Sequence, residues 1–201
     1  MEIKSLRYFL AVAREENMTK AADMLHVTQP TLSKTLKSLE DELGKKLFTR
    51  HSFSISLTDD GMLLRDRAED LIAMADRIEQ EFITLDDITG GDIYFGLAES
   101  FQIRHLAKEI HKLKNRYPGF TYHITSGDTE QVTEKLDKGL LDFAVLCEKP
   151  NSAKYDYLKL VFRPLSPKQT SELYLIWNKY PSFTPIAEKF LTQIKTSFHK
   201  P

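Results

Sequence analysis

One helical pattern in this sequence opens with side chains that could bind a polar, negatively charged partner. The stretch VTQPTLSKTLKSLEDELG (27–44) repeats leucine at a spacing of four, three and four residues, which indicates one buried helix face. The opposite face starts with hydroxyl, amide and basic residues. They are Thr28, Gln29, Pro30, Thr31, Ser33, Lys34 and Lys37.

The chemistry of these side chains suits nucleic acid. Hydroxyl and amide groups can hydrogen-bond the edges of bases, and lysines can neutralise phosphates. The first acid of the stretch is Glu40, although acids are the charges normally favoured at a helix N-terminus. Their absence indicates that this end meets something negative. The alternative interpretation is a small helical bundle whose polar face contacts only water.

Two shorter helical patterns precede this helix. In the first, Leu6, Phe9, Leu10 and Ala13 share one face. Asn17 is a suitable cap for the second, MTKAADML (18–25), in which paired alanines allow a neighbouring helix to approach closely. These patterns predict two helices packed against the third.

Capping residues and a hairpin complete the first part of the chain. Thr28 is predicted to cap the third helix, Pro30 suits its first turn, and Gly44 ends it. LFTRHSFSISLT (47–58) is typical of two short strands around a turn near residues 51–52. Three helices and a hairpin predict a winged helix-turn-helix, whose recognition helix enters the DNA major groove by its N-terminal end.

A long helix is predicted from Asp59 to about residue 88, with Thr58 as its cap. Its apolar positions alternate in steps of four and three, a repeat typical of a coiled-coil seam between two chains. The alternative is one helix packed on its own domain. The predicted dimerisation residues are Leu64, Ala68, Leu71, Ala75, Ile78, Phe82 and Leu85.

From residue 89 onward, strand and helix patterns alternate, which predicts an α/β domain with a parallel sheet. Ligands of such sheets lie beyond the carboxyl ends of the strands. Ser100 and Gln102 follow the first strand, and Ser126 and Asp128 follow the second. These residues are therefore candidate ligand contacts, but Ser126 and Asp128 could equally act only as helix caps.

Composition limits the other classes of protein. The chain has 201 residues, 41% hydrophobic and 28% charged, which is ordinary for a globular protein. It has a single cysteine, Cys147, so an internal disulfide and a cysteine metal cluster are excluded. No metal or cofactor is expected. No signal peptide or membrane span is predicted, so we expect a cytoplasmic protein. The net charge of −1 does not by itself indicate nucleic acid.

The order of these parts resembles the LysR-type transcriptional regulators over nearly the whole chain. The most specific portion runs from FLAVAREENMTKAADMLHVTQP to SISLTDDG without a gap. It is similar to the family pattern at five places, which are Ala21–Ala22, Thr28–Gln29–Pro30, Leu39–Glu40, Leu47–Phe48–Thr49–Arg50 and Leu57–Thr58 with Gly61.

The resemblance implies a bacterial, nucleoid-associated homodimer or tetramer that binds promoter DNA and acts on RNA polymerase. It implies that Gln29, Pro30, Thr31, Ser33 and Lys34 read DNA. By the same resemblance Arg50 belongs to the wing, and we include the adjacent His51, in the predicted hairpin turn, in the DNA-binding set.

A small-molecule effector is also implied by the resemblance, bound between two subdomains similar to periplasmic binding proteins. Ser100 and Ser126 lie where family members often hold the effector.

The sequence departs from the family pattern in three respects. Asn17 replaces the usual Ser, which keeps the cap, and Phe53 replaces a basic wing residue. YDYLKL and the later ELYLIW resemble the exit strand and the return strand of the first subdomain, yet they almost meet near residues 160–162. The intervening residues are too few for a separate core, so the second subdomain is expected to be missing.

We therefore expect a winged helix-turn-helix (1–58), a linker helix (59–88) and a truncated periplasmic-binding-protein-like α/β domain (89–201). The predicted function is that of a dimeric, sequence-specific DNA-binding transcriptional regulator with an impaired effector response. The alternatives are a small-molecule binding module and an architectural DNA-binding protein. An enzyme is least favoured, because the sequence shows no nucleophile–base pair, metal set or phosphate loop.

Overall fold

The computed structural model describes residues 1–51, 54–84, 90–98, 104–160 and 172–198. The chain divides into two compact units, Met1–Asp76 and Arg77–Pro201, and each is described by itself.

Three helices form most of the first unit. They are α1 (Ile3–Glu15), α2 (Met18–Met24) and α3 (Gln29–Leu43). Asn17 caps α2 as predicted, because its Oδ1 accepts hydrogen bonds from the N–H groups of Thr19 and Lys20, each at 3.0 Å.

The predicted hairpin follows α3. Gly44 ends α3 in the left-handed conformation at φ +66°, where glycine is favoured. Strands β1 (Phe48–Arg50) and β2 (Ile55–Leu57) then pair in antiparallel register, with Phe48 opposite Leu57 and Arg50 opposite Ile55.

The apolar faces of the helices meet in one core. Ala21 and Ala22 are fully buried, so α2 lies close to its neighbours. Leu32, Leu36 and Leu39 carry the buried face of α3, as the leucine spacing predicts. On α1 the buried residues are Leu6, Tyr8, Phe9, Ala11 and Val12, whereas the predicted Leu10 and Ala13 are only partly buried.

The long helix α4 (Asp59–Thr84) begins after Thr58, whose Oγ1 accepts the N–H of Gly61 at 3.0 Å. Gly61 is required for close packing, because a Cβ there would lie 2.2 Å from the carbonyl oxygen of Leu47. This contact explains why a glycine follows the Leu57–Thr58 pair at this spacing.

The second unit contains a five-stranded sheet. Its strands are β3 (Gly90–Ala98), β4 (Gly119–Gly127), β5 (Phe143–Leu146), β6 (Tyr155–Leu160) and β7 (Leu173–Asn178). The spatial order is β4-β3-β5-β7-β6, so β4 and β6 are the two edges.

The sheet is mixed rather than wholly parallel, which corrects one expectation. β3 is parallel to both β4 and β5, but β7 is antiparallel to β5 and β6. A parallel neighbour would need a crossover of about a dozen residues or more, usually with a helix. β7 follows β6 after residues 161–172 and pairs with it directly, so this part of the sheet is an antiparallel return and not a strand–helix–strand crossover.

Three helices cover the sheet. They are α5 (Arg104–Arg116), α6 (Thr129–Asp137) and α7 (Pro185–Phe198). Successive β3 residues alternate between two apolar clusters, as strand geometry requires. One cluster includes Phe95, Phe143 and Phe190 beneath α5 and α7, and the other includes Val132 and Leu136 of α6. The N-terminal winged helix-turn-helix and the α/β unit confirm the predicted fold class.

Candidate nucleic-acid interface

The turn between α2 and α3 fixes the direction in which α3 leaves the core. His26 adopts a left-handed conformation at φ +54°, and its N–H donates to the carbonyl of Asp23 at 3.1 Å. The N–H of Val27 donates to the carbonyl of Ala22 at 3.0 Å. This tight turn brings the first residues of α3 to the surface.

The predicted DNA-reading residues lie together on that surface. Thr28, Gln29, Pro30 and Thr31 are exposed, and Ser33 is half-buried. Lys34 and Lys37 follow on the exposed side of the same helix. The N-terminal end of α3 therefore offers hydroxyl, amide and ammonium groups on one continuous face.

Thr28 occupies the N-cap position but does not cap with its side chain. Its backbone is extended, and its Oγ1 lies 2.8 Å from the Oγ1 of Thr31 instead of accepting a helix N–H. The two hydroxyl groups are hydrogen-bonded to each other at the N-terminal end of α3. The predicted capping hydrogen bond is therefore wrong, although the predicted helix start is correct to within a residue.

The electrostatics of this helix end favour an anion. The first turn of α3 carries no acidic residue. Helix N-termini carry partial positive charge and orphan N–H groups. A phosphate at this end would therefore meet a favourable field with no nearby acid on the first turn.

Glu40 connects the recognition helix to the wing. Its Oε1 accepts the N–H of Leu47 at 2.9 Å, and its Oε2 accepts Lys46 Nζ at 2.9 Å. Burial raises the pKa of Glu40, but the hydrogen bonds from Lys46 and Leu47 outweigh burial, so its pKa lies below the ordinary value. The acid on α3 thus positions the wing and is compensated by Lys46.

The wing residues are less completely described. Arg50 ends β1, but its side chain lies outside the described atoms, and Phe53 lies outside the described residues. His51 is exposed, and its Nε2 lies 3.1 Å from Ser56 Oγ across the hairpin. The ring of His51 is therefore held by the hairpin at the tip of the wing.

The predicted dimer seam divides into two parts along α4. Ala68 is fully buried in the core of the first unit, and Leu64 packs against that core. Ala75 is half-buried, and Leu85 lies outside the described residues. Leu71, Ile78 and Phe82 are 46%, 48% and 73% exposed.

For Leu64 and Ala68 the alternative interpretation, a helix packed on its own domain, is therefore correct. An apolar stripe of Leu71, Ile78 and Phe82 remains on the surface of α4.

The structure describes two of the four predicted effector residues. Ser100 and Gln102 lie outside the described residues, and Ser126 is exposed at the end of β4. Asp128 caps α6, because its Oδ1 accepts the N–H of Gln131 at 2.8 Å. The capping interpretation is therefore correct for Asp128.

An acid faces the same helix end. Thr129 at the start of α6 donates its hydroxyl to Glu148 Oε1 at 3.1 Å. A carboxylate ligand here would meet Asp128 and Glu148, and like charges at this range disfavour it.

A buried ion pair was not anticipated from the sequence. Arg77 Nη2 donates to Asp142 Oδ1 at 2.5 Å, and Arg77 Nε donates to Glu81 Oε1 at 2.7 Å. The other oxygen of Asp142 accepts the N–H of Tyr94 at 2.8 Å. Arg77 and Asp142 are 65 residues apart, and neither lies in a recognisable motif. The sequence therefore could not predict that they form a pair.

These elements define a winged helix-turn-helix followed by a periplasmic-binding-protein-like α/β unit, and family models match both parts. Residues 3–62 match the model described as the bacterial regulatory helix-turn-helix protein of the lysR family. Residues 88–161 match the LysR substrate binding domain. The chain belongs to the LysR family, which confirms the resemblance.

Individual proteins are similar to a longer part of this chain than either family model. The chain is 33% identical over 146 residues to the HTH-type transcriptional regulator BsdA of Bacillus subtilis (strain 168), a match covering 72% of this chain and 50% of BsdA. It is 30% identical over 165 residues to the DNA-binding transcriptional dual regulator OxyR of Escherichia coli (strain K12), covering 82% and 54%. The chain spans about half the length of these curated relatives.

A solved structure of CbnR complexed with its target DNA is similar in fold. Its TM-score is 0.68 at 25% identity, over 80% of this chain and 55% of CbnR. Within the part of the chain that the structure describes, no helix has both the length and the apolar character needed to cross a membrane.

Proposed function

We propose that this chain is a DNA-binding transcriptional regulator that reads promoter DNA with the N-terminal end of α3. The observation that carries the proposal is the exposed, acid-free start of α3, with Gln29, Lys34 and Lys37 on one face. In the helix-turn-helix arrangement this end enters the major groove. The relation to DNA-binding regulators and to the CbnR structure with its target DNA supports the same assignment.

The residues of this face have different tasks in the proposal. Gln29 can make paired hydrogen bonds to adenine, and the hydroxyls of Thr31 and Ser33 can contact bases or phosphates. Lys34 and Lys37 neutralise phosphates, and Arg50 and His51 contact the backbone from the wing. In this proposal the first two turns of α3 determine which base sequence the protein recognises.

The test of this proposal is a gel-shift titration against the region upstream of the gene. A Gln29→Ala/Ser33→Ala/Lys34→Ala variant removes the three polar functions without touching the buried leucines. Loss of one good base contact costs about 1–3 kcal/mol, so the variant should lose at least tenfold in affinity. A Lys179→Ala variant, which removes an exposed lysine from the second unit, is the charge control.

Salt dependence separates the two kinds of contact. If Lys34 binds phosphate, Lys34→Ala should lower the slope of log affinity against log salt by about one. A folded triple variant with unchanged affinity and unchanged base preference would remove α3 from the DNA interface.

The regulator is proposed to act as a dimer, with tetramers as a further assembly. The exposed stripe of Leu71, Ile78 and Phe82 on α4 supports a helix–helix contact with a second copy. Two recognition helices would then read two half-sites of one promoter. In this proposal the protein works on the bacterial nucleoid in the cytoplasm, and its binding changes the use of the promoter by RNA polymerase.

The effector response is proposed to be impaired. The proposed domains are residues 1–58, 59–88 and 89–201, the last with only the first effector subdomain. The connection of β6 to β7 by residues 161–172 alone supports this proposal. Small-molecule sites gain affinity by enclosing most of the ligand surface. One wall of the cleft provides little enclosure, and its α6 end carries Asp128 and Glu148.

A further inference from the structure

We propose that Lys46 binds a phosphate of the DNA backbone at a cleft between α3 and the wing. Lys46 lies between the end of α3 and strand β1, outside the set of residues that the sequence predicts to bind DNA. The inference rests on the proposed function, since it adds a contact to the same DNA interface. Three features of the structure support this contact, which are the cleft, the backbone contacts of Lys46 and the surrounding charges.

A row of polar residues along α3 leads from its N-terminal end to the cleft. Gln29, Ser33 and Lys37 are spaced by four residues, so they lie one above the other on one face of the helix. Lys37 therefore lies about 12 Å along the helix axis from Gln29. Ser33, Lys37 and Lys46 line the same cleft. The face that carries the predicted base contacts thus continues as far as Lys46.

Backbone contacts fix the position of Lys46 beside this face. Its carbonyl accepts the hydroxyl of Thr58 at 2.6 Å, and the carbonyl of Leu47 accepts the N–H of Thr58 at 3.0 Å. Leu47 is 1% exposed and anchors the segment in the core of the first unit. The side chain of Lys46, in contrast, is 72% exposed. An anchored backbone with an exposed ammonium group suits contact with an external partner.

The charges at the cleft favour an anion, although Glu40 also lines it. The side chain of Glu40 is only 13% exposed, and its Oε1 accepts the N–H groups of Leu47 and Phe48 at 2.9 and 3.4 Å. Its Oε2 accepts Lys46 Nζ at 2.9 Å. An ammonium group has three donor hydrogens, so Lys46 can bind Glu40 and a phosphate oxygen together. Lys37 supplies a second positive charge at the same cleft.

The alternative role of Lys46 is to stabilise the wing through Glu40 alone. An exposed ion pair of this kind usually contributes little to stability. Loss of that role would affect unfolding, but it would not change the number of counterions that DNA releases when the protein binds. The salt dependence of DNA binding therefore distinguishes a phosphate contact from a purely structural one.

Gel-shift titration of the full chain with the upstream region, at several salt concentrations, measures this contact. Lys46→Gln should lower the slope of log affinity against log salt by about 0.9, and it should weaken binding roughly fivefold to tenfold at about 0.1 M salt. Base preference should not change, because phosphate contacts carry no sequence information directly. Lys46→Arg keeps the positive charge and should keep the native slope.

Lys45→Gln is the matched control, because it removes the same charge from the adjacent residue. The side chain of Lys45 is 62% exposed and pairs with Asp60 at 3.6 Å, and the described lining of the cleft does not include it. Lys45→Gln should leave the slope close to that of the native protein. Equal changes of slope in Lys45→Gln and Lys46→Gln would overturn the proposal, since only the general field of the protein would then be involved.

Neutral methylphosphonate linkages, introduced one at a time into the DNA site that the native protein protects, locate the phosphate. One linkage should weaken binding of the native protein and of Lys45→Gln but leave binding of Lys46→Gln unchanged. If each linkage weakens all three proteins equally, Lys46 binds no phosphate and the proposal is wrong. In that case sequence-specific binding by the native protein would leave the proposed function intact, whereas a native protein without specific binding would overturn both.

Discussion

At the scale of single residues, Glu40 shows how an acid can belong to a DNA-binding helix. Its carboxylate accepts the N–H of Leu47 and the ammonium of Lys46, so it connects α3 to the wing. Its charge is therefore compensated within the protein and does not face the open end of α3. From the sequence alone, Glu40 marks the first acid of the helix and one place of the family pattern, but its partners could not be known before the hairpin was placed.

Glu40 gives a prediction about stability and pH. The pKa of Glu40 is lowered in the folded state, so its contribution is present above the ordinary carboxyl pKa of 4.5 and is lost as pH falls through the lowered value. Glu40→Gln should cost about 1 kcal/mol of unfolding free energy at pH 7, the size of one net hydrogen bond. The difference from the native protein should shrink below about pH 4.5.

Urea denaturation at pH 7 and at pH 4 measures both effects of Glu40→Gln. Asp41→Asn is the control, because Asp41 is an exposed acid on the same helix. An equal loss of stability in the two variants at pH 7 would show that the Glu40 contacts contribute nothing specific.

At the scale of elements, α4 contributes one part of its apolar face to a core and leaves another part exposed. The single repeat in the sequence does not distinguish these two parts. The four-and-three spacing predicts one seam, but Leu64 and Ala68 pack into the core of the first unit. Leu71, Ile78 and Phe82 stay on the surface. A heptad specifies which residues share a helix face, but it does not specify which part of that face a neighbouring core covers.

The exposed part of α4 gives the dimerisation prediction. Ile78→Glu puts a charge at the centre of the stripe, and burying an unpaired charge between two helices costs several kcal/mol. The variant should lose α4-mediated association in sedimentation and should bind paired half-sites more weakly. Ile83→Glu is the control, since Ile83 is 73% exposed but lies on a different side of α4. Equal effects of the two substitutions would exclude a specific seam.

The last turns of α4 belong to the second unit, in which Arg77 pairs with Asp142. Burial lowers the pKa of Arg77, but the charges and hydrogen bonds of Asp142 and Glu81 together outweigh burial and raise the pKa above its usual value. The guanidinium also lies 4.9 Å from the centroid of the Tyr94 ring. The contacts of Arg77 with Tyr94 and Asp142 join residues far apart in the sequence, so the local pattern gave no indication of them.

Removing one member of this buried pair should be costly. Arg77→Met leaves the Asp142 carboxylate buried without its counter-charge, which typically costs 3–5 kcal/mol, and here we expect about 3 kcal/mol. Adding Asp142→Asn to Arg77→Met should recover part of the loss, because the neutral amide needs no cation. Denaturation of the two variants and of Asp142→Asn alone completes the cycle. Additive losses in the double variant would contradict coupling between the two residues.

At the scale of the whole molecule, the sheet shows how far the sequence could lead. The segment ELYLIW is predicted as a return strand, and β7 occupies it. The position of β7 between β5 and β6 is a property of long-range pairing that no local pattern contains. Because β7 is buried on both sides, the chain after residue 171 completes the α/β core and is not a dispensable tail.

The last prediction concerns the response of the intact chain to small molecules. At the α6 end of the sheet, Asp128 already accepts a helix N–H and Glu148 accepts the Thr129 hydroxyl. A carboxylate ligand would therefore meet two acids, and its remaining hydrogen bonds would compete with water and gain little net free energy. Calorimetry with a panel of organic acids and amino acids should detect no binding at micromolar concentration. Gel-shift affinity for DNA should be the same with and without each compound. A dissociation constant in the low micromolar range, or a compound that changes DNA affinity severalfold, would show that one wall of the cleft is enough.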